Sequence, residues 1–174
     1  MESSLLKRNT FSHILKVMNE NQKTLHKFYA AFATSNYQDM ISCYHPNVVF
    51  TDPIFHTLEA KDALNMWKML LEKGEGKTVI EYANISANEN EGTANWVATY
   101  LFSATNRRVV NRVKAKFIFQ DGLIIKHTDT FDLYKWSQQA FGFKGYLMGW
   151  TGFMKEKIHE NAVASLTSYS KKEV

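Results

Sequence analysis

A chain of 174 residues suits one domain with a substantial core, and 45% hydrophobic residues, among them 12 Phe, 8 Tyr and 4 Trp, exclude disorder. The single cysteine, Cys43, excludes an internal disulfide and, without clustered histidines, a zinc set; no metal and no cofactor are expected. The net charge of +4 is diffuse and no groove-reading motif accompanies it, so nucleic acid is not an expected partner.

Residues 11–19 read as a short helix with Phe11, Ile14, Leu15 and Met18 on one side. Leu25, Phe28, Tyr29 and Phe32 repeat at i, i+3, i+4 and i+7, which predicts a helix from about Asn21 to Thr34. Ser35-Asn36 breaks it, and a third short helix is expected over 37–44. His45-Pro46-Asn47 then turns the chain into the strand Val48-Val49-Phe50-Thr51-Asp52. A helix fits Lys61 to Lys73, loaded with Leu64, Trp67, Met69, Leu70 and Leu71 and ended by Gly74 and Gly76.

From there the period changes to two. Thr78–Ala87, Thr93–Ala104, Val109–Phe119 and Leu123–Trp136 read as four strands joined by hairpin turns, including Gln120-Asp121-Gly122. Arg112, Lys114 and Lys116 would share a solvated outer face of the third. Val109, Asn111, Val113, Ala115, Phe117 and Phe119 would share the other. The order of elements predicts an α+β domain whose helices cover one face of a strongly curved antiparallel sheet. Lys7 and Arg8 precede no apolar stretch and no apolar run is long enough to span a bilayer, so a cytoplasmic protein without stable membrane insertion is expected.

Carboxylates are rarely buried unless paired or used. Asp52 ends a β-branched and aromatic run, and His127-Thr128-Asp129-Thr130-Phe131-Asp132 closes another about eighty residues later. His127 and Asp129 are two apart on a strand and face one side, with Cα atoms about 6.5 Å apart; Phe131 continues that face and Asp132 faces away. This predicts a wet spot inside an apolar cup. The bland readings stand beside it: Asp52 before Pro53 as a turn cap, His127 and Asp129 as a structural pair, Cys43 as a small buried hydrophobe, and His45 and His56 as exposed turn residues.

The acidic-proline end of the first strand, the Tyr44-His45-Pro46 turn and the Asp-Gly turn before the last strand resemble the nuclear transport factor 2-like fold, a cone-shaped, cystatin-like curved sheet. Within it the chain is similar to the SnoaL-like and ketosteroid isomerase-like small-molecule enzymes, over approximately Asn21 to Trp136. The resemblance implies a domain at 21–136 between an N-terminal helical extension (1–20) and a C-terminal one (137–174). It also implies a homodimer and a small apolar ligand. Asp52 matches the general base of the ketosteroid isomerases, whereas their oxyanion-hole tyrosine and acid fall on Phe28 and Ala115, which cannot donate hydrogen bonds. The SnoaL-like cyclases are similar in placing an acid–base residue on the last strand, where Asp129 stands.

The expected catalytic set is therefore Asp52, Asp129 and His127, with Tyr29, Trp67, Asn111, Phe117 and Phe131 in contact with substrate. The chemistry is general acid–base: isomerisation, cyclisation or hydrolysis of an apolar carbonyl or epoxide compound. The alternative is a ligand-binding or dimeric scaffold of the same fold without turnover. Leu147, Trp150, Met154, Ile158 and Leu166 predict one amphipathic C-terminal helix, a packing element, a dimer partner or a lid to which Trp136, Phe141 and Phe143 contribute. Its mixed acids and lysines disfavour a membrane surface.

Overall fold

The computed structural model describes residues 18–172 except 75, so all but the last two residues of the expected helix at 11–19 lie outside it. Asn19 is instead the cap of the first described helix, α1 (Glu20–Ala33): its side chain accepts from Gln22 N, and Gln22 answers on Asn19 N. One face of α1 buries Leu25, Phe28, Tyr29 and Phe32, as the 3.6-residue period predicts. The short α2 (Tyr37–Ile41), capped by Asn36, stops before the expected 44, because Tyr44 already belongs to strand β1 (Tyr44–Asp52). Cys43 is buried, and burial pushes its thiol up to about 11.

Strand β2 (His56–Glu59) doubles back on β1 and pairs Asp52 with His56. The sequence reading missed it, since four mostly exposed residues leave no alternation to read. His56 is exposed, as expected, with φ 59°. Then come α3 (Ala60–Gly74), β3 (Val79–Ala87), β4 (Glu91–Phe102), β5 (Arg107–Gln120) and β6 (Leu123–Thr130). The sheet order is β2-β1-β6-β5-β4-β3, antiparallel at every pair except β1 with β6. Asp121 and Gly122, both at positive φ, form the two-residue turn between β5 and β6. α1 and α3 pack on the concave face with Phe28, Tyr29, Phe32, Met66 and Trp67, and β5 presents Val113, Ala115, Phe117 and Phe119 to them. Arg112, Lys114 and Lys116 lie on the exposed outer face.

The last strand ends at Thr130, not at Trp136. Asp132 accepts from Lys135 N at 3.0 Å and starts α4 (Leu133–Phe141), which buries Leu133, Trp136, Ser137 and Ala140 on one side. Alternation through Phe131 and Leu133 hides this switch, and the capping carboxylate reveals it. The single C-terminal helix is also two helices, α5 (Phe143–Met148) and α6 (Gly152–Ser170), with Thr151 capping the second. Ile158 and Leu166 are buried as expected, whereas Leu147 and Trp150 are exposed, as is Phe143. Trp136, Ile158, Val109 and Ala140 form a second small core, with Phe131 and Phe141 packed against it.

Candidate active site

Strand pairing brings three distant parts of the chain together. In the parallel pair Phe50 stands beside His127 and Thr51 beside Thr128, so the end of β1 comes level with Asp129. In the antiparallel pair Phe117 faces His127 and Ala115 faces Asp129. The β5 position at which the resemblance leads one to look for an acid thus holds a small alanine directly opposite Asp129.

His127 is fully buried and both ring nitrogens are occupied. Its Nδ1 lies 2.7 Å from the Tyr44 hydroxyl and its Nε2 lies 3.0 Å from Asp129 Oδ1. An ionised carboxylate only accepts, so the network assigns the proton to Nε2 and makes Tyr44 the donor to Nδ1. Trp96 Nε1 donates a second hydrogen bond to Asp129 Oδ1 at 3.2 Å. Four side chains from β1, β6 and β4 therefore form one buried polar chain, Tyr44–His127–Asp129–Trp96. Aromatic rings enclose it: Phe117 at 4.4 Å from the imidazole, Phe50 at 5.2 Å, Phe28 at 5.6 Å, and Trp67 stacked at 5.9 Å. In the sequence Tyr44 stands out only as a family marker. Period-two alternation in β4, which points Ala94, Trp96 and Ala98 inward together, was the available signal for Trp96.

Asp52 is half-buried beside this chain. Its Oδ1 accepts from Ile54 N at 2.9 Å and from Phe55 N, so it does cap the turn. Burial nevertheless raises its pKa, with a smaller push from the nearby Asp129 charge, and against the pull of those two N–H groups and of His127 the result is about 6. Capping and a shifted proton affinity coexist in the same side chain.

Two donors next to this network have no acceptor: the Tyr29 hydroxyl and the Trp67 indole N–H, both buried. Burial first and the Asp129 charge second push the Tyr29 pKa well above its ordinary value, and Tyr44 adds to the effect. The Trp67 N–H lies near enough to the Tyr44 oxygen to favour its ionised form, but it lacks the geometry of a hydrogen bond. A buried donor without an acceptor costs about 1–3 kcal/mol, which makes two of them in one place informative.

Of the residues expected in substrate contact, Tyr29, Trp67 and Phe117 adjoin the polar chain. Phe131 is half-buried and lines a cleft of about 380 Å³ with Pro53, His56, Tyr134, Trp150 and Lys155. Asn111 is half-buried on the inward row of β5 but lies four residues along the strand from Ala115, about 13 Å away. The fold does not bring it to His127 and Asp129. Among the described residues no group of three His, Cys, Asp or Glu side chains is placed to hold a metal ion. Nor is any described helix long and apolar enough to cross a membrane.

A curved sheet wrapped on helices, with a polar chain in its apolar interior, defines a cone-shaped α+β domain. Residues 25–127 match the SnoaL-like domain model, and the chain belongs to that family, within the nuclear transport factor 2-like superfamily. No curated protein sequence matches it. Among solved structures it is similar to TerC co-crystallised with polyporic acid, at TM-score 0.62 and 12% identity over 71% of this chain and 100% of that one. It is similar also to an LEH-like epoxide hydrolase of M. tuberculosis, at TM-score 0.54 and 20% identity over 75% and 91% of the two chains. A third is an NTF2-like protein of unknown function from Burkholderia pseudomallei, at TM-score 0.58 and 15% identity over 66% and 92%. At these identities the likeness is one of fold.

Proposed function

We propose that the protein performs general acid–base chemistry on a small, largely apolar carbonyl or epoxide compound, as an isomerase, cyclase or hydrolase. The observation that carries this reading is the pair of acceptor-less donors, Tyr29 O–H and Trp67 N–H, beside the His127–Asp129 pair. A substrate oxygen is the acceptor they lack. Asp52, with its pKa near 6, is mostly ionised at pH 7 and basic enough to take a proton from the carbon next to a carbonyl. The electron pair released moves onto the carbonyl oxygen, where Tyr29 and Trp67 hydrogen-bond the developing charge. They would take over the task for which Phe28 and Ala115 are unsuited.

The polar chain behind them orients. His127, held at both nitrogens, fixes Asp129, and the Asp129 charge sets the field felt by Asp52 and Tyr29. Pro53, next to Asp52, lines the 380 Å³ cleft, which supports entry from that side. The test is turnover of a panel of cyclic enones and epoxides by the wild type and by Asp52→Asn and Asp129→Asn. Loss of turnover in Asp52→Asn by a factor of about 10² or more is expected; unchanged turnover in both variants overturns the reading. A specific observation favours a second reading, binding without turnover: rings close around His127, and Asp52 is engaged as a cap. Tight binding of panel compounds with no conversion would select it.

A further inference from the structure

α5 packs inside out. Its buried residues are glycines: a Cβ built on Gly145 would overlap the Ser137 carbonyl of α4, and one on the following Gly149 the Ser137 hydroxyl. Close approach of that face to α4 obliges the opposite face to look outward. That face carries Phe143, Tyr146 and Leu147 at i, i+3 and i+4, and Trp150 follows in the turn after the helix. Phe143 is 75% exposed, Trp150 65% and Phe153, at the start of α6, 69%; Tyr146, Leu147 and Met148 are exposed as well. Six large apolar side chains within eleven residues form a patch of the kind that marks an interaction site.

Charge selects the partner. Residues 133–155 contain no acid and three lysines, Lys135, Lys144 and Lys155. The acids that appeared to mix with these lysines lie beyond this stretch. The acids nearest it stand at its two ends: Asp132, which caps α4 and lies 3.9 Å from Lys135, and Glu156, next to Lys155; Glu160, further along α6, pairs with Lys157 at 3.1 Å. Trp, Tyr and Phe interspersed with lysine suit the boundary between lipid headgroups and acyl chains. A second copy docked on this patch about a two-fold axis would bring Lys144 toward its own equivalent, with no acid in α5 to offset it.

We propose that α5 and the first turn of α6 form a docking surface for an anionic lipid bilayer, lying in its interface without crossing it. The proposal does not rest on the acid–base reading, although Trp150 and Lys155 also line the 380 Å³ cleft. The test is cosedimentation of the full chain with vesicles of mixed phosphatidylglycerol and phosphatidylcholine, and with phosphatidylcholine alone. Trp67, Trp96 and Trp136 are buried, so a blue shift of tryptophan emission on vesicle addition reports Trp150. Binding to the anionic vesicles with that shift, weakened by salt, is expected. Lys144→Ala and Lys155→Ala should each weaken it about fivefold. Phe143→Ser with Trp150→Ser should weaken it more than about tenfold while the thermal melt is retained. No binding to anionic vesicles at low salt overturns the proposal. So does a concentration-dependent dimer that shields Trp150 while vesicles bind nothing, which would assign the patch to a second copy.

Discussion

The Tyr44 hydroxyl lies 2.7 Å from His127 Nδ1, joining the first residue of β1 to β6 across 83 positions of sequence. Because Asp129 takes the other nitrogen, this bond leaves the imidazole no freedom to rotate or exchange tautomers. Tyr44→Phe removes the donor and keeps the ring, so a buried acceptor is left without a partner. We expect a loss of about 1–3 kcal/mol in urea unfolding. A change below about 0.5 kcal/mol would mean that Nδ1 finds another donor and that the chain is not a unit.

Tyr29→Phe should behave in the opposite way. The Tyr29 hydroxyl is buried without a partner, so its removal relieves desolvation rather than breaking a bond. The variant is expected to be as stable as the wild type or up to about 1–2 kcal/mol more stable, while binding of carbonyl ligands weakens. Calorimetric titration and urea unfolding on the same preparation separate the two effects. Equal ligand affinity in both proteins would remove Tyr29 from the site.

Asp52 makes stability depend on pH in a direction that can be worked out. Its folded pKa, near 6, lies above the ordinary 3.8, so the folded state holds the proton more tightly than the unfolded chain. The stability this group adds is complete below about pH 4 and is lost as pH rises through about 6. Asp52→Asn cannot ionise, yet it keeps an oxygen to cap Ile54 and Phe55. The variant should therefore gain on the wild type between pH 4.5 and 7.5, by something on the order of 1–3 kcal/mol. Unfolding midpoints at the two pH values check this; an unchanged difference between the proteins would mean that Asp52 is not shifted. In the wild type, proton abstraction should rise with pH through about 6 and then level off.

Much of this arrangement is visible in the residues. The periodicities of α1, α3 and β5 put Phe28, Trp67 and Phe117 on the inward faces before any coordinates are known, and two-residue spacing puts His127 and Asp129 together. What escapes is non-local or costs no pattern. Tyr44 meets His127 only because β1 and β6 pair, and no local signal marks a parallel pairing between strands so far apart. A bulge near Ile118 lets Ile124 and His127, three apart, both point inward, which a strict alternation would forbid. Asp132 illustrates a competition in which side-chain capping of Lys135 N ended a strand whose alternation continued. The inverted α5 is invisible for a related reason: its apolar stripe is well formed, but periodicity cannot say which face the neighbour takes.

Gly145 decides that question. A Cβ there would meet the backbone of Ser137 and Gln138, atoms that cannot swing aside as the end of a side chain can. Gly145→Ala should therefore push α5 off α4, at a cost of about 1–3 kcal/mol from overpacking against a small intrinsic gain in helix propensity. The Tyr134 hydroxyl, which donates to the Tyr146 carbonyl at 2.9 Å, would lose its partner as well. Because α5 lies apart from the His127–Asp129 chain, the damage should be local, and trypsin should cut faster at Lys144 while the urea midpoint of the main core moves little. Gly152, with open space where its Cβ would stand, is the control: Gly152→Ala should change neither readout. If Gly145→Ala proves as resistant to trypsin as Gly152→Ala, α5 does not lie against α4 through its glycines, and its apolar stripe is not held outward.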